Sequence, residues 1–450
     1  MRLERSLRGA LSSLVRAAGG REPNHDHREL LRGAYSLLAN TAVTAALGLG
    51  FWVAAARLYS SAAVGRDAAL IAAMVELSTL CQLNMGNGIV RFLPDLGRRS
   101  AFALATAYGV TCAFALLVGV AFVLLAPTVS HELAYLSAST GFAVAFVATL
   151  VLWGLFTLQD AALTATRRAP WIPVENGMFG ALKLATLPAM LAVGATHGVF
   201  LAWALPMALL LIPVNLLVFK RAIPGHVGRE ARESSIARLG ARRVVRFLAQ
   251  DYLASVFTQA TLTVLPLMVI AILGARESAY FAMPFTIAVA FDTFAYGACT
   301  SLVVEASLAH ERLRALARVF VRRVLGPLVP AVVLLVLAAP LVMLPFGHEY
   351  SKHGAGVLRL LLCASLLRLC IALFSAVSRV RGHGLRLGLV ELALLALVLG
   401  PAVPLAHASG IEGVATAWLL GNGVVCLAVA PSLIRFLRAP AELTVPPAVR

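Results

Sequence analysis

Long apolar stretches separated by short polar gaps fill this chain from residue 33 to residue 435. A membrane-spanning helix needs about 20 apolar residues. On that measure the pattern predicts twelve spans, over residues 33–57, 64–93, 100–126, 133–158, 170–195, 198–219, 244–273, 277–305, 319–345, 354–378, 385–406 and 411–435. The expected fold is an all-α integral membrane protein with about 12 transmembrane helices. The longest inner gap, Lys220–Arg243, splits them six and six. An offset of 210 residues lays Asn40 on Gln250, Asp67 on Glu277 and Asp95 on Glu305. Six spans is an even number, so repeated halves would run parallel, related by an axis along the membrane normal. The predicted organisation is a tail (1–32), a first six-helix bundle (33–219), a linker (220–243), a second six-helix bundle (244–437) and a short tail (438–450).

The gaps are sorted by charge. Most of the 38 Lys and Arg residues fall in alternate gaps: Arg2 to Arg32, Arg91/Arg98/Arg99, Arg167/Arg168, Lys220 to Arg246, Arg312 to Arg323, Arg379 to Arg386 and Arg435 to Arg450. Cytoplasmic loops carry such an excess of Lys and Arg. With twelve spans both termini are then cytoplasmic. The opposite gaps hold only Arg57, Arg66, Arg276, Lys352 and Arg359. Their positions near span ends fit snorkelling to headgroups.

Composition agrees. The chain is 60% hydrophobic, with a mean hydropathy of +0.87 and a net charge of +17. In a soluble protein that charge would point to nucleic acid. Here the basic residues flank apolar spans, so anionic membrane lipids are the counter-charge and nucleic acid is not a partner. Residues 1–20 place Leu3, Leu7, Leu11, Leu14 and Val15 at helical spacing among arginines. They read as an amphipathic surface helix or as a disordered basic tail, not as a cleavable signal peptide.

The candidate chemistry is sparse. Cys81, Cys112, Cys299, Cys363, Cys370 and Cys426 lie in apolar stretches without a CxxC pair and read as small buried hydrophobes. GxxxxGK[ST], HExxH and GxSxG are all missing from the sequence. The outer gaps are too short for a catalytic domain, so no enzyme activity is expected. His25-Asp26-His27 and His348-Glu349…His353 read as solvated turns, and no metal or cofactor is expected.

Five charges lie far from either surface: Glu76, Lys183, Asp292, Arg368 and Glu391. An unpaired charge at the bilayer centre costs about 2.5–3.5 kcal/mol on insertion scales. These residues therefore pair with one another, or line a hydrated cavity, or do both in turn. Uncharged polar residues gather on the helices that open each half. They include Asn40, Thr44, Thr79, Gln82, Asn84 and Asn87, then Gln250, Tyr252, Ser255, Thr258 and Gln259. Pro173, Gly177, Gly180 and Pro188 make the fifth span bendable.

The opening segment also resembles a known family. Asn40 early in the first span, the Ala-Arg-Leu-Tyr exit with Arg57, Val64-Gly65 opening the second span, Gly86, Gly88 and the Arg91-Phe92-Leu93-Pro94 exit carry the likeness. They are similar to the first two helices of polysaccharide and O-antigen flippases, in the multidrug/oligosaccharidyl-lipid/polysaccharide exporter superfamily. The resemblance implies two bundles around a V-shaped central cavity in a bacterial cytoplasmic membrane. It implies alternating access that exports a lipid-linked oligosaccharide, a polyprenyl-diphosphate glycan, from the inner to the outer leaflet. On the charge argument, Lys183 and Arg368 would contact the diphosphate, with Asn40 and Gln250 as further cavity residues. Glu76, Asp292 and Glu391 are candidates for coupling to a proton or sodium. The alternative is a cation-coupled multidrug or small-molecule antiporter of the same superfamily. Two mid-membrane cations favour the glycan, because they would repel cationic drugs. A membrane-embedded polymerase or ligase is disfavoured by the short outer loops. The chain is expected to act as a monomer.

Overall fold

The computed structural model describes residues 43–129, 134–225, 241–308, 313–322, 326–381 and 384–438. The predicted tail helix, Asn40, His25–His27 and the centre of the linker lie outside the described residues. Among the described residues every regular element is helical. The first half comprises α1 (Val43–Leu58), α2 (Ser61–Cys81), α3 (Met85–Phe92), α4 (Ser100–Val129), α5 (Thr140–Ala165), α6 (Ile172–Ala192) and α7 (Gly198–Leu217). The second comprises α8 (Ala241–Leu308), α9 (Leu313–Phe320), α10 (Gly326–Leu337), α11 (Ala339–Met343), α12 (His348–Val380) and α13 (Gly384–Arg438).

Six of these helices are long and apolar enough to cross a membrane, and two bent pairs, α2/α3 at 49° and α10/α11 at 75°, raise the number to eight. Two of the six are hairpins. Straight, the 68 residues of α8 would run about 100 Å at 1.5 Å per residue. Instead Gly274 takes φ 85° and ψ 173°, which reverses the chain. Thr258 before it and Asp292 beyond it consequently reach the same charged group around Arg368. In α13 the reversal falls at Ser409 and Gly410, where Gly410 has φ 60°. Leu397 and Gly421 then pack back to back. With α1 and α6 the crossings number twelve, in two six-helix lobes around a central cavity.

The cores show how the lobes meet. One apolar core runs through both lobes, from Phe51, Leu70 and Phe200 to Phe281, Phe346 and Trp418. Towards the end that carries the basic loops it divides. Leu93, Leu104, Leu158 and Ile172 form a core in the first lobe, and Leu302, Leu313, Phe320 and Phe436 form one in the second. The lobes thus share one core at the end away from the basic loops, the fused end, and have separate cores at the basic end, where α3 and the start of α8 still touch at Asn84 and Leu248. At the fused end Gly65 lies against the backbone of Ala275 and Ala279, and Ser278 Oγ donates to the Gly65 carbonyl at 3.3 Å. Gly65 and Ala275 are equivalent positions under the 210-residue offset.

Several predicted bounds move. The fourth span is Thr140–Ala165, about a quarter of a span later than the predicted 133–158. Ser139 caps it, accepting from the Phe142 N–H at 3.4 Å. Its far end reaches Ala165 because the polar Gln159 and Asp160 find partners inside the lobe. The ninth span begins at Gly326, not at 319, and α9 is a separate amphipathic helix burying Leu313, Ala317 and Phe320. The tenth begins at His348, so most of the loop predicted at Phe346–His353 is helix. There His353 Nε2 lies 3.6 Å from the Glu349 carboxylate.

Candidate functional site

Where the lobes part, they enclose a cavity of about 470 Å³. Its wall is built mainly from the uncharged polar helices. Thr79, Gln82, Asn84 and Asn87 come from the α2/α3 bend, and Tyr252, Ser255, Thr258 and Gln259 from the first arm of α8. The bend itself is a local necessity. Leu83 and Asn84 take φ of 51° and 63°, which no helix continues. The Leu80 carbonyl beside the break accepts from the Tyr252 hydroxyl at 2.9 Å. Asn84 Nδ2 donates to the Leu248 carbonyl at 3.4 Å and Asn87 Nδ2 to Asn84 Oδ1 at 2.7 Å. A break in a membrane helix needs such replacement partners. Here Tyr252 and Leu248 supply two of them from the opposite lobe, so the bend and the lobe contact are one structure.

Among the described residues two charged ones face the cavity, Arg379 and Glu391. Glu391 Oε2 accepts from Thr258 Oγ1 at 2.9 Å. Behind it a narrow recess leads to Arg368 and Trp418. Arg368 is buried at 8% exposure. Its Nε lies 2.7 Å from Asp292 Oδ2, its Nη1 donates to Asn422 Oδ1 at 3.4 Å, and its guanidinium stands 4.9 Å from the Trp418 ring. Arg368 and Asp292 are therefore a buried pair at the blind end, with Glu391 between them and the cavity.

The remaining candidates separate. Lys183, at 4% exposure, is held in an aromatic cage inside the first lobe. Its Nζ lies 3.9 Å from the Trp203 ring centre and 5.1 Å from those of Phe51 and Phe179. It pairs with none of Glu76, Asp292 and Glu391, and it is not among the residues lining the cavity. Both expectations for Lys183 thus meet a third arrangement, set by the three rings that α1, α6 and α7 bring together. Glu76 accepts from Gln259 Nε2 across the lobes. Asn40 lies outside the described residues, and so does the side chain of Gln250. Among the described residues no group of three or more His, Cys, Asp or Glu could hold a metal.

Sequence reasoning missed two features. By sequence Arg379 belongs to a basic loop, yet its place near the end of α12 turns it into the cavity mouth. A second polar network lies between α4, α5, α6 and α7, made by Tyr108, Gln159, Asp160, Glu175, Asn176 and Asn215. Its signal was two adjacent-polar pairs, Gln159-Asp160 and Glu175-Asn176, sixteen residues apart. The predicted bounds put the first pair in a loop.

Arg57 also differs from expectation. Its Nε donates to the Pro345 carbonyl at 2.7 Å and its Nη2 to the Leu344 carbonyl at 3.0 Å, so it ties the lobes at the fused end as well as reaching solvent.

No protein-family model and no curated protein matches this sequence. Among solved structures, the chain is similar to the inward-facing conformation of a multidrug resistance MATE family transporter of the MOP superfamily. The TM-score is 0.64 at 16% identity, covering 90% of this chain and 98% of the other. The outward-facing conformation described in the same terms gives 0.56 at 16% identity, covering 91% and 95%. A Vibrio cholerae MATE transporter gives 0.59 at 15% identity, covering 91% and 97%. At these identities the likeness speaks for architecture: the chain has the two-lobed, twelve-helix fold of these transporters over nearly its whole length.

Proposed function

We propose that this protein is an alternating-access transporter with its cavity open to the cytoplasm, and that its substrate is a lipid-linked oligosaccharide moved to the outer leaflet. The observation that carries this reading is the cavity wall. Hydroxyls and amides from both lobes surround it, and Arg379 stands at its basic mouth. Sugars need many neutral donors and acceptors. A diphosphate needs a guanidinium, whose planar fork matches phosphate oxygens. Outward movement of an anionic headgroup runs with the membrane potential, worth about 2.3 kcal/mol per charge per 100 mV. Arg368 and Lys183 are less suited to the headgroup, because Asp292 and the aromatic cage already hold them. Of the coupling candidates, Glu76 is the best placed. Its bond to Gln259 spans the two lobes, so proton or sodium binding there would bear directly on their separation. The basic end is taken as cytoplasmic, with both termini there, in a bacterial cytoplasmic membrane. The chain acts as a monomer, and no covalent chemistry is assigned.

A cation-coupled multidrug antiporter is the second reading. It is favoured by the description of the similar structures and by Glu391 beside Tyr296 in the cavity, a pairing suited to an organic cation.

Purified protein in proteoliposomes separates the two. A fluorescent polyprenyl-diphosphate sugar should cross between leaflets, and Arg379→Ala should slow it about tenfold or more, the worth of a charge-assisted hydrogen bond. Lys183→Met should flip it at the wild-type rate. Movement of an organic dye cation with no movement of the lipid would replace the first reading by the second.

A further inference from the structure

The polar network inside the first lobe is not part of the cavity wall. We propose that it is a proton-binding site, in which Asp160 and Glu175 share one proton. The geometry begins with α5 and α6, which run antiparallel through a tight turn where Arg167 has φ 58°. That pairing sets Gln159 against Glu175 and Asp160 against Asn176. Tyr108 donates its hydroxyl proton to Asn215 Oδ1 at 2.8 Å. Asn215 Nδ2 donates to Gln159 Oε1 at 2.8 Å, and Gln159 Nε2 donates to Glu175 Oε1. Asn176 Nδ2 donates to Asp160 Oδ2 at 3.1 Å. All donors therefore run inward and end on the two carboxylates.

One oxygen of each is left over. Glu175 Oε2 and Asp160 Oδ1 are buried and have no hydrogen-bond partner. Glu175 is 5% exposed. Among the described residues no ion pair reaches either group, and the two carboxylates repel each other. Two buried negative charges with no counter-charge are not sustainable in a low-dielectric lobe. A positive charge must be supplied. A hard metal ion prefers six or so oxygen ligands. Here the Gln159 and Asn215 amide oxygens are already used as acceptors, and two carboxylate oxygens remain. A proton needs no more than those two.

The titratable group facing the pair is Tyr108 on α4, with Cys112 on the same helix beside Tyr108. Helix α7 contributes the neutral Asn215. Arg167 and Arg168 in the turn, and Lys220 and Arg221 beyond α7, are exposed. Gain or loss of the proton would pull α5 and α6 together or push them apart at the basic end of the first lobe. The site requires neither substrate nor movement of the lobes, so its test stands apart from the flipping assay.

Infrared difference spectroscopy between low and high pH, on the full chain in lipid nanodiscs, reads it directly. The wild type should show a protonated-carboxyl C=O band that disappears at high pH. Asp160→Asn and Glu175→Gln, which keep shape and hydrogen bonding, should each lack the same component. The double variant should lose no more than either single one. Thermal unfolding of each variant reports that the fold is retained, and either single variant alone suffices if the other unfolds. An unchanged band in the single variants would overturn the proposal. So would additive losses in the double variant, which mean two independent acids. Loss of the band on adding sodium at fixed pH would overturn it in favour of a metal site.

Discussion

Lys183 and Arg368 are both long cations buried near the middle of the membrane, yet the fold treats them differently. Arg368 has a carboxylate at 2.7 Å and an amide at 3.4 Å. Lys183 has three aromatic faces. A desolvated cation–π contact contributes about 2 kcal/mol, so several together offset an insertion cost of about 2.5–3.5 kcal/mol. Two outcomes follow from this difference. Asp292→Ala leaves the Arg368 guanidinium buried without its carboxylate and should lower stability by about 3–5 kcal/mol. Asp292→Asn should cost less, because it keeps shape and one acceptor. Thermal denaturation in detergent measures both. Lys183→Met keeps the volume inside the cage and should unfold close to the wild-type temperature. Lys183→Ala empties the cage and should cost about 2–5 kcal/mol, as core truncations do. A large loss in the Met variant would mean that the charge itself holds the three helices. The sequence made both residues stand out. It could not tell pair from cage, because Trp203 and Phe51 lie 20 and 132 positions from Lys183.

At the scale of elements, hydropathy located the spans and local signals set their ends. Ser139 moved α5 along the chain, and the paired polar side chains of Gln159 and Asp160 let it run on to Ala165. A window that penalises polar residues ends such a helix early, since it has no knowledge of partners on α6 and α7. The hairpin at Gly274 was legible from Gly274-Ala275-Arg276-Glu277 and from the length of the apolar run. The close approach it serves was not. Gly65 lies so near the backbone of Ala275 that a Cβ there has no room. Gly65→Ala should therefore force α2 away from α8 at the fused end. Spin labels at Ser60 and Lys352 should report a longer distance between the lobes than in the parent protein. An unchanged distance would show that the contact tolerates a side chain.

For the whole molecule, closure at one end and opening at the other are two aspects of the same packing. The shared core and the Arg57 bonds to the Leu344 and Pro345 carbonyls hold the fused end. The bend in α2/α3 and the first arm of α8 shape the open end. Arg57→Ala removes two hydrogen bonds to carbonyls, about 1.5–3 kcal/mol each for a charged donor. It should shift the same spin-label pair towards a longer, broader distribution. A distribution identical to wild type would leave the apolar core and the Gly65 contact with α8 as the clamp.

The sequence by itself determined that the chain is helical, crosses the membrane many times and presents its basic loops on one side. Those properties depend on local hydropathy and on charge in the gaps, and neither requires knowing which helices touch. It also marked Glu76, Lys183, Asp292, Arg368 and Glu391 as one set of buried charges, because charges of opposite sign seek one another away from water, without showing which of them meet. The tertiary structure alone decided that Lys183 is caged, that Arg379 leaves its loop for the cavity, that Arg57 bridges the lobes, and that Asp160 meets Glu175. Each of these depends on the register and facing of two or more helices distant along the chain. Packing sets that register, and the order of residues does not display it.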